Sequence, residues 1–262
     1  MNIDLKGKNA IVCGSTQGIG LAIAQELAVL GSNVVLVARN SHKLQDVVKT
    51  LDTTQGQTHS YLCADFNHPE QLRDTIQKFL ATAIQVDILV NNTGGPPAGS
   101  VLDATDDAFL TAFNQHLICN QILVQAVVPV MKKGNYGRII NIISTSVKIP
   151  MPGLGVSNTI RGAVASWSKT LSLELAAWGI TVNNVLPGLT QTGRLESLIK
   201  GKAESAGTSE EAIRKAMLQD IPAGYFAEPS DLAAAVAFLA SPAARYINGV
   251  NLPVDGGKTG SL

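Results

Sequence analysis

Short apolar runs punctuate this chain, and between them lie longer stretches whose apolar residues recur at helical spacing. The runs at 10–13, 34–37, 60–63, 88–90, 139–143 and 181–186 are continuous rather than alternating, and a seventh, 249–254, ends just before Asp255-Gly256-Gly257. A strand that is apolar on both sides must be covered on both sides, the condition of a parallel sheet between two layers of helices. Helical patterns near 19–30, 41–52, 69–81, 106–132, 154–178 and 230–240 fall between the runs and supply that cover. Strand alternating with helix predicts an α/β fold with a doubly wound parallel sheet of about seven strands and right-handed crossovers. No repeat or linker interrupts the rhythm, so residues 1–262 read as a single domain. One stretch departs from it. Residues 191–226 are polar, contain Gly193, Gly201, Gly207 and Gly224, and follow the sixth run. In such sheets the C-terminal ends of the strands face the ligand crevice, so this stretch is expected to form a substrate lid.

Composition narrows the function classes. Hydrophobic residues make up 45% of the chain and charged residues 15%, enough apolar material for a large core. Twenty Lys and Arg balance twenty Asp and Glu. A balanced chain has no electrostatic attraction to nucleic acid or to an anionic membrane, and neither is expected as a partner. Cys13, Cys63 and Cys119 are odd in number and far apart, which suits a reducing compartment. The N-terminus lacks the basic-then-apolar order of a signal peptide, and no apolar run approaches membrane length, so a cytoplasmic protein is expected. His42, His59 and His68 form no ligand pattern, and no metal is expected.

The first run leads into Gly14-Ser15-Thr16-Gln17-Gly18-Ile19-Gly20, with a helical pattern following. Gly14 permits a tight turn; Gly18 and Gly20 let backbone approach a pyrophosphate and let the helix pack on the sheet. The helix N-terminus then offers N–H groups and the positive end of its dipole. A glycine loop between strand and helix points to a Rossmann-like dinucleotide site. The second run ends Val37-Ala38-Arg39, with no acid to hold a ribose 2′-hydroxyl and an arginine suited to a 2′-phosphate. The expected cofactor is therefore NADP(H), with NAD(H) as the alternative.

Further motifs follow at fixed places: Ala64-Asp65, Asn91-Asn92-Thr93-Gly94, Ser144, Val182-Asn183, Pro187-Gly188 with Thr192, and the closing Val254-Asp255-Gly256-Gly257. With them the whole chain resembles the short-chain dehydrogenase/reductase family, and within it the 3-oxoacyl-carrier-protein reductases. The resemblance implies that Asp65 contacts adenine, that Asn91 stabilises the central strand, and that Gly94 belongs to the cofactor site. It places Pro187, Gly188 and Thr192 at the nicotinamide carboxamide, and implies a homodimer or homotetramer. Thr93 departs from the family's usual Asn-Asn-Ala-Gly, and Cys13 stands where threonine is common.

The larger departures are catalytic. The resemblance implies a serine that binds the substrate carbonyl, and Ser144 stands at its place. Thirteen residues on, where a proton-donating tyrosine is usual, is Ser157; four further, where lysine is usual, is Arg161; and His116 occupies the place of an asparagine. Ser157 and Arg161 are i and i+4 and share a helix face. A serine hydroxyl is a poor general acid near neutral pH, whereas Arg161 keeps donors for ribose hydroxyls and a permanent charge. Lys148, four residues past Ser144, is the first candidate to replace the missing donor. His116 and Tyr225 are others, and Asn120, one turn after His116 on the same face, is the candidate to replace the missing amide. The expected function is an NADP(H)-dependent oxidoreductase of small carbonyl or hydroxyl substrates, 3-oxoacyl-reductase-like. The alternative is a catalytically silent NADP(H)-binding sensor or partner subunit.

Overall fold

The structure is a computed structural model that describes residues 1–82 and 85–261. Seven strands form one sheet: β1 (Asn9–Cys13), β2 (Asn33–Ala38), β3 (Ser60–Cys63), β4 (Ile88–Asn91), β5 (Gly137–Ile142), β6 (Ile180–Pro187) and β7 (Asn251–Val254). All pairs are parallel, in the order β3-β2-β1-β4-β5-β6-β7, so the winding reverses between β1 and β4. Successive residues along each strand serve opposite faces. Val12, Leu36, Val90 and Ile140 pack with α1 (Gly18–Val29) and α9 (Pro229–Ala240), through Ile23, Leu27, Leu232 and Val236. Ile11, Val35, Leu89 and Ile139 pack on the other side with α3 (Pro69–Leu80) and α5 (Cys119–Gly134), through Leu72, Ile76, Ile122 and Val127. Each such side chain, fully buried, stabilises the fold by about 1.5–3 kcal/mol. The remaining helices are α2 (Ser41–Val48), α4 (Asp106–Phe113), α6 (Gly155–Leu175), α7 (Gly193–Ala206) and α8 (Glu210–Gln219).

Two segments differ from the sequence reading. The helix expected over 106–132 is present but not uniform: α4 runs to Phe113, a π-helical turn covers Asn114–Ile118, and α5 continues to Gly134. A π turn carries an extra residue and shifts the helix face beyond it without breaking the apolar pattern. The polar stretch 191–226 holds two helices with a small core of their own, Leu195, Ile199, Met217, Ile221 and Phe226. Leu195, Ile199 and Ala203 recur at i, i+4 and i+8 on α7. Ser209 caps α8 by accepting a hydrogen bond from the Ala212 N–H at 3.2 Å. No described helix is long and apolar enough to cross a membrane.

Candidate active site

A crevice of about 990 Å³ opens at the C-terminal ends of the strands, around the point where the winding reverses. Its first end is backbone. Gly14 and Gly18 have φ of 60° and 55°, which favour glycine, and both line the crevice with Gln17 and Ile19. Gly20 lies behind them: a Cβ there would stand 2.2 Å from the Gly14 carbonyl oxygen, so only glycine lets α1 approach the loop. Gln17 leads into α1 without a side-chain cap, leaving the first N–H groups of that helix for a ligand. Ser15 was expected among the cofactor contacts but is fully buried; its Oγ accepts from the Val37 N–H at 3.1 Å and ties the loop to β2. Arg39 is exposed at the end of β2 and lines the crevice together with Asp65 beyond β3. Among the described residues Arg39 has no ion pair. A side-chain-free cradle at an uncapped helix start, with an unpaired guanidinium beside it, fits a dinucleotide carrying a 2′-phosphate.

The other end is built from the chain's middle. Ser144 follows β5, and its Oγ accepts from the Ser146 N–H at 3.1 Å, which leaves its own O–H to donate. Ser157 and Arg161 stand one turn apart on α6 and line the same crevice, as do Gly94, Pro187 and Thr192. Arg161 is buried, and its Nη1 donates to the Ile142 carbonyl at 2.9 Å. Burial, and then the neighbouring Arg194, lower its pKa to about 10, so it stays a cation at neutral pH.

Three other expected positions lie off the lining. Gly188 donates its N–H to Val254 at 2.9 Å and lies so close to Asp255 that a Cβ would stand 2.6 Å from its Cα. Lys148 was read as the replacement proton donor. The chain leaves β5 through a 3₁₀ turn, Thr145–Val147, and Lys148 follows it, half-buried and outside the lining. Tyr225 is exposed and also outside the lining.

His116 was read as a group that titrates usefully. It is buried in the π turn, and burial, then Arg161, push its pKa down to about 2, so it is neutral. Its Nδ1 meets the Thr93 hydroxyl, while Nε2 has no partner among the described residues. The two departures from the family pattern at 93 and 116 therefore touch each other. Asn120, one turn on, is buried with its Oδ1 unpartnered among the described residues.

Asn91 does not reach the crevice, and its position exposes a feature the sequence reading missed. Its Nδ2 donates to Asn141 Oδ1 at 2.8 Å; Asn141 Nδ2 donates to Asn184 Oδ1 at 2.9 Å; and Asn184 Nδ2 donates to Asn251 Oδ1 at 2.7 Å. The four asparagines are in register across β4, β5, β6 and β7. A polar rung thus runs through the sheet just below the crevice. Among the described residues no three His, Cys, Asp or Glu side chains cluster as a metal site would require.

Known proteins share this architecture along nearly the whole chain. A family model described as enoyl-(acyl carrier protein) reductase matches residues 14–259. The 3-oxoacyl-[acyl-carrier-protein] reductase FabG of Rickettsia conorii is 34% identical over 255 residues, 97% of this chain and 98% of that protein. The chain belongs to the short-chain dehydrogenase/reductase family, a family of NAD(P)-dependent oxidoreductases. Another relative, the D-beta-hydroxybutyrate dehydrogenase of Rhizobium meliloti, is 32% identical over 257 residues, 96% of this chain and 98% of that protein. Among solved structures, L-sorbose reductase from Gluconobacter frateurii, complexed with NADPH and L-sorbose, superposes with a TM-score of 0.93 at 30% identity, covering 100% of both chains. Against this family pattern Ser157 and Arg161 stand out, because they line the crevice at the step where the resemblance puts tyrosine and lysine.

Proposed function

We propose that this chain is an NADP(H)-dependent oxidoreductase of small carbonyl and hydroxyl compounds whose alkoxide is stabilised by Ser144 and Arg161 instead of protonated by a tyrosine. The observation that carries this is one continuous crevice running from Arg39, past the glycine cradle, to Ser144 and Arg161. The Gly14–Gly18 loop and the start of α1 would hold the pyrophosphate, and Arg39 the 2′-phosphate. When bound, the nicotinamide supplies or accepts the hydride. Ser144 donates a hydrogen bond to the substrate oxygen, and the Arg161 cation, buried and already oriented by the Ile142 carbonyl, offsets the negative charge that develops there. The proton then comes from water in the open crevice, since Ser157 lacks the acidity and Lys148 lies outside the crevice lining. The segment 191–226 serves as the lid, moving on its own small core. Leu110, Phe113 and Leu173 leave apolar surface exposed on α4 and α6 and suit a homodimer or homotetramer contact, in a cytoplasmic setting. The relatives named above are an L-sorbose reductase complexed with NADPH and L-sorbose, a 3-oxoacyl reductase and a hydroxybutyrate dehydrogenase, which favours turnover over the silent, nucleotide-sensing reading.

The test is a pair of calorimetric titrations. NADPH should bind more tightly than NADH, and Arg39→Ala should remove roughly 10- to 100-fold of that preference, the worth of one charge-assisted contact at about 1.5–3 kcal/mol. Equal affinities in the unmodified protein overturn the assignment. A panel of carbonyl compounds that leaves NADPH unoxidised despite tight binding overturns the enzyme reading.

A further inference from the structure

The substrate end of the crevice carries more positive charge than hydride chemistry requires. Arg161 is fixed through Nη1 on the Ile142 carbonyl, leaving its other edge toward the crevice. Arg194 comes from the first turn of α7, distant in sequence, and its Nη2 donates to the Pro96 carbonyl at 2.6 Å. The two guanidinium groups converge on one gap. Each has its Nη2 3.8 Å from the point where a Cβ on Gly95 would stand, and Gly95 has none. Among the described residues neither arginine is ion-paired. Among the described residues the one acidic side chain lining the crevice, Asp65, belongs to the opposite end, beyond β3. Two like charges face the same small space with no counter-charge, one of them held out of water. That arrangement is unfavourable until an anion enters.

We propose that Arg161 and Arg194 bind the carboxylate of the substrate, making this chain an oxidoreductase of small oxo- and hydroxy-acids. A guanidinium fork matches a carboxylate with two parallel N–H···O bonds, and two forks can hold one carboxylate from both sides. The substrate's reacting carbon is set by proximity. Ser144 lies two residues past Ile142, the residue whose carbonyl holds Arg161, so the carbonyl oxygen and the carboxylate are bound close together. The acids that fit have at most one carbon between the carboxylate carbon and the carbonyl carbon: the 2-oxo acids, with none, and the 3-oxo acids, with one. The α7 start adds N–H groups on the same side, because Thr192 provides no side-chain cap. This assignment rests on the oxidoreductase reading above, and its test separates the two.

The experiment titrates acetoacetate and pyruvate, and in parallel the neutral methyl acetoacetate and acetone, into the protein saturated with NADP⁺. Both ligand and cofactor are then oxidised, so binding is measured without turnover. At least one acid should bind roughly tenfold or more tightly than its neutral counterpart. Arg194→Gln should abolish that preference while changing NADP⁺ affinity less than about twofold, and Arg194→Lys should restore part of it. Acids and neutral analogues that bind alike, or no acid binding at millimolar concentration, overturn the proposal. So does Arg194→Gln weakening NADP⁺ as much as acetoacetate, which would make Arg194 a cofactor ligand. Turnover of neutral ketones alone would leave the oxidoreductase reading standing and remove the carboxylate site. Carboxylate binding with no NADPH oxidation by any carbonyl compound would do the reverse.

Discussion

His116 should make this fold sensitive to acid. In the unfolded chain a histidine titrates near 6.5, whereas burial beside Arg161 pushes His116 down to about 2 in the fold. The folded pKa is the lower one, so below pH 6.5 the unfolded state binds a proton that the native state refuses. Stability from this residue is therefore complete above pH 6.5 and is lost as pH falls toward 2, with a limiting slope near 1.4 kcal/mol per pH unit. Between pH 7 and pH 5 the loss amounts to about 2 kcal/mol, a large share of the 5–15 kcal/mol that holds a typical domain. The perturbation is His116→Asn, which cannot titrate in this range and can still bond Thr93. Urea unfolding of both proteins at fixed concentration across pH 5–7.5 isolates the effect, since every other titrating group is common to both and cancels. The unmodified protein should lose about 2 kcal/mol more than His116→Asn over that interval. Parallel pH profiles, or a His116 imidazole seen by NMR to protonate near pH 6.5 in the native state, would refute the reasoning.

Two further outcomes follow from the packing. Gly20→Ala drives a methyl to within 2.2 Å of the Gly14 carbonyl and should cost about 1–3 kcal/mol of stability with a clear loss of NADPH affinity, whereas Gly201→Ala on α7, with nothing within 4 Å, should raise stability by roughly 0.5–1 kcal/mol; thermal unfolding and titration read both. Asn141→Ala strands the Asn91 amide and the Asn184 oxygen inside the sheet and should cost about 2–4 kcal/mol, while Asn251→Ala at the exposed end of the same rung should cost less than about 1 kcal/mol; equal losses in urea unfolding would show that the rung contributes nothing as a unit.

The sheet was legible in the sequence because parallel strands buried on both faces are continuous apolar words. Leu36 and Val37 point to opposite cores, and both cores demand an apolar side chain. The cradle was legible for a similar reason: Gly14, Gly18 and Gly20 are each forced by backbone geometry that a single sequence displays. The π turn was not, because its added residue preserves the apolar spacing on both sides of it. The helices α7 and α8 were hidden by their polar faces, although Leu195, Ile199 and Ala203, and Ser209 before Glu210 and Glu211, carried the signal. Nearness of Lys148 to Ser144 along the chain does not fix its direction once a 3₁₀ turn intervenes. Arg194 and the asparagine rung were out of reach for a plainer reason. Their meaning lies in contacts between segments far apart in sequence, Arg194 with Pro96 and Asn91 with Asn141, and no local pattern encodes them.

The altered catalytic positions bear on whether this site was rebuilt or merely lost. A site released from function would shed its residues one at a time, leaving each change alone in its surroundings. Here the changes engage one another. The hydroxyl that Thr93 brings in place of a methyl lies against the ring that His116 brings in place of an amide. Arg161 is seated by a backbone carbonyl and faces a second arginine across a gap that Gly95 keeps open. His116 is neutral first because it is buried, and the Arg161 cation adds its repulsion to any charged imidazole. Keeping a guanidinium buried without a counter-ion carries an energetic penalty of several kcal/mol, and any apolar residue of similar size would remove it. A buried guanidinium facing a second one, within a crevice whose cofactor end is intact, is the arrangement the proposed anion site requires.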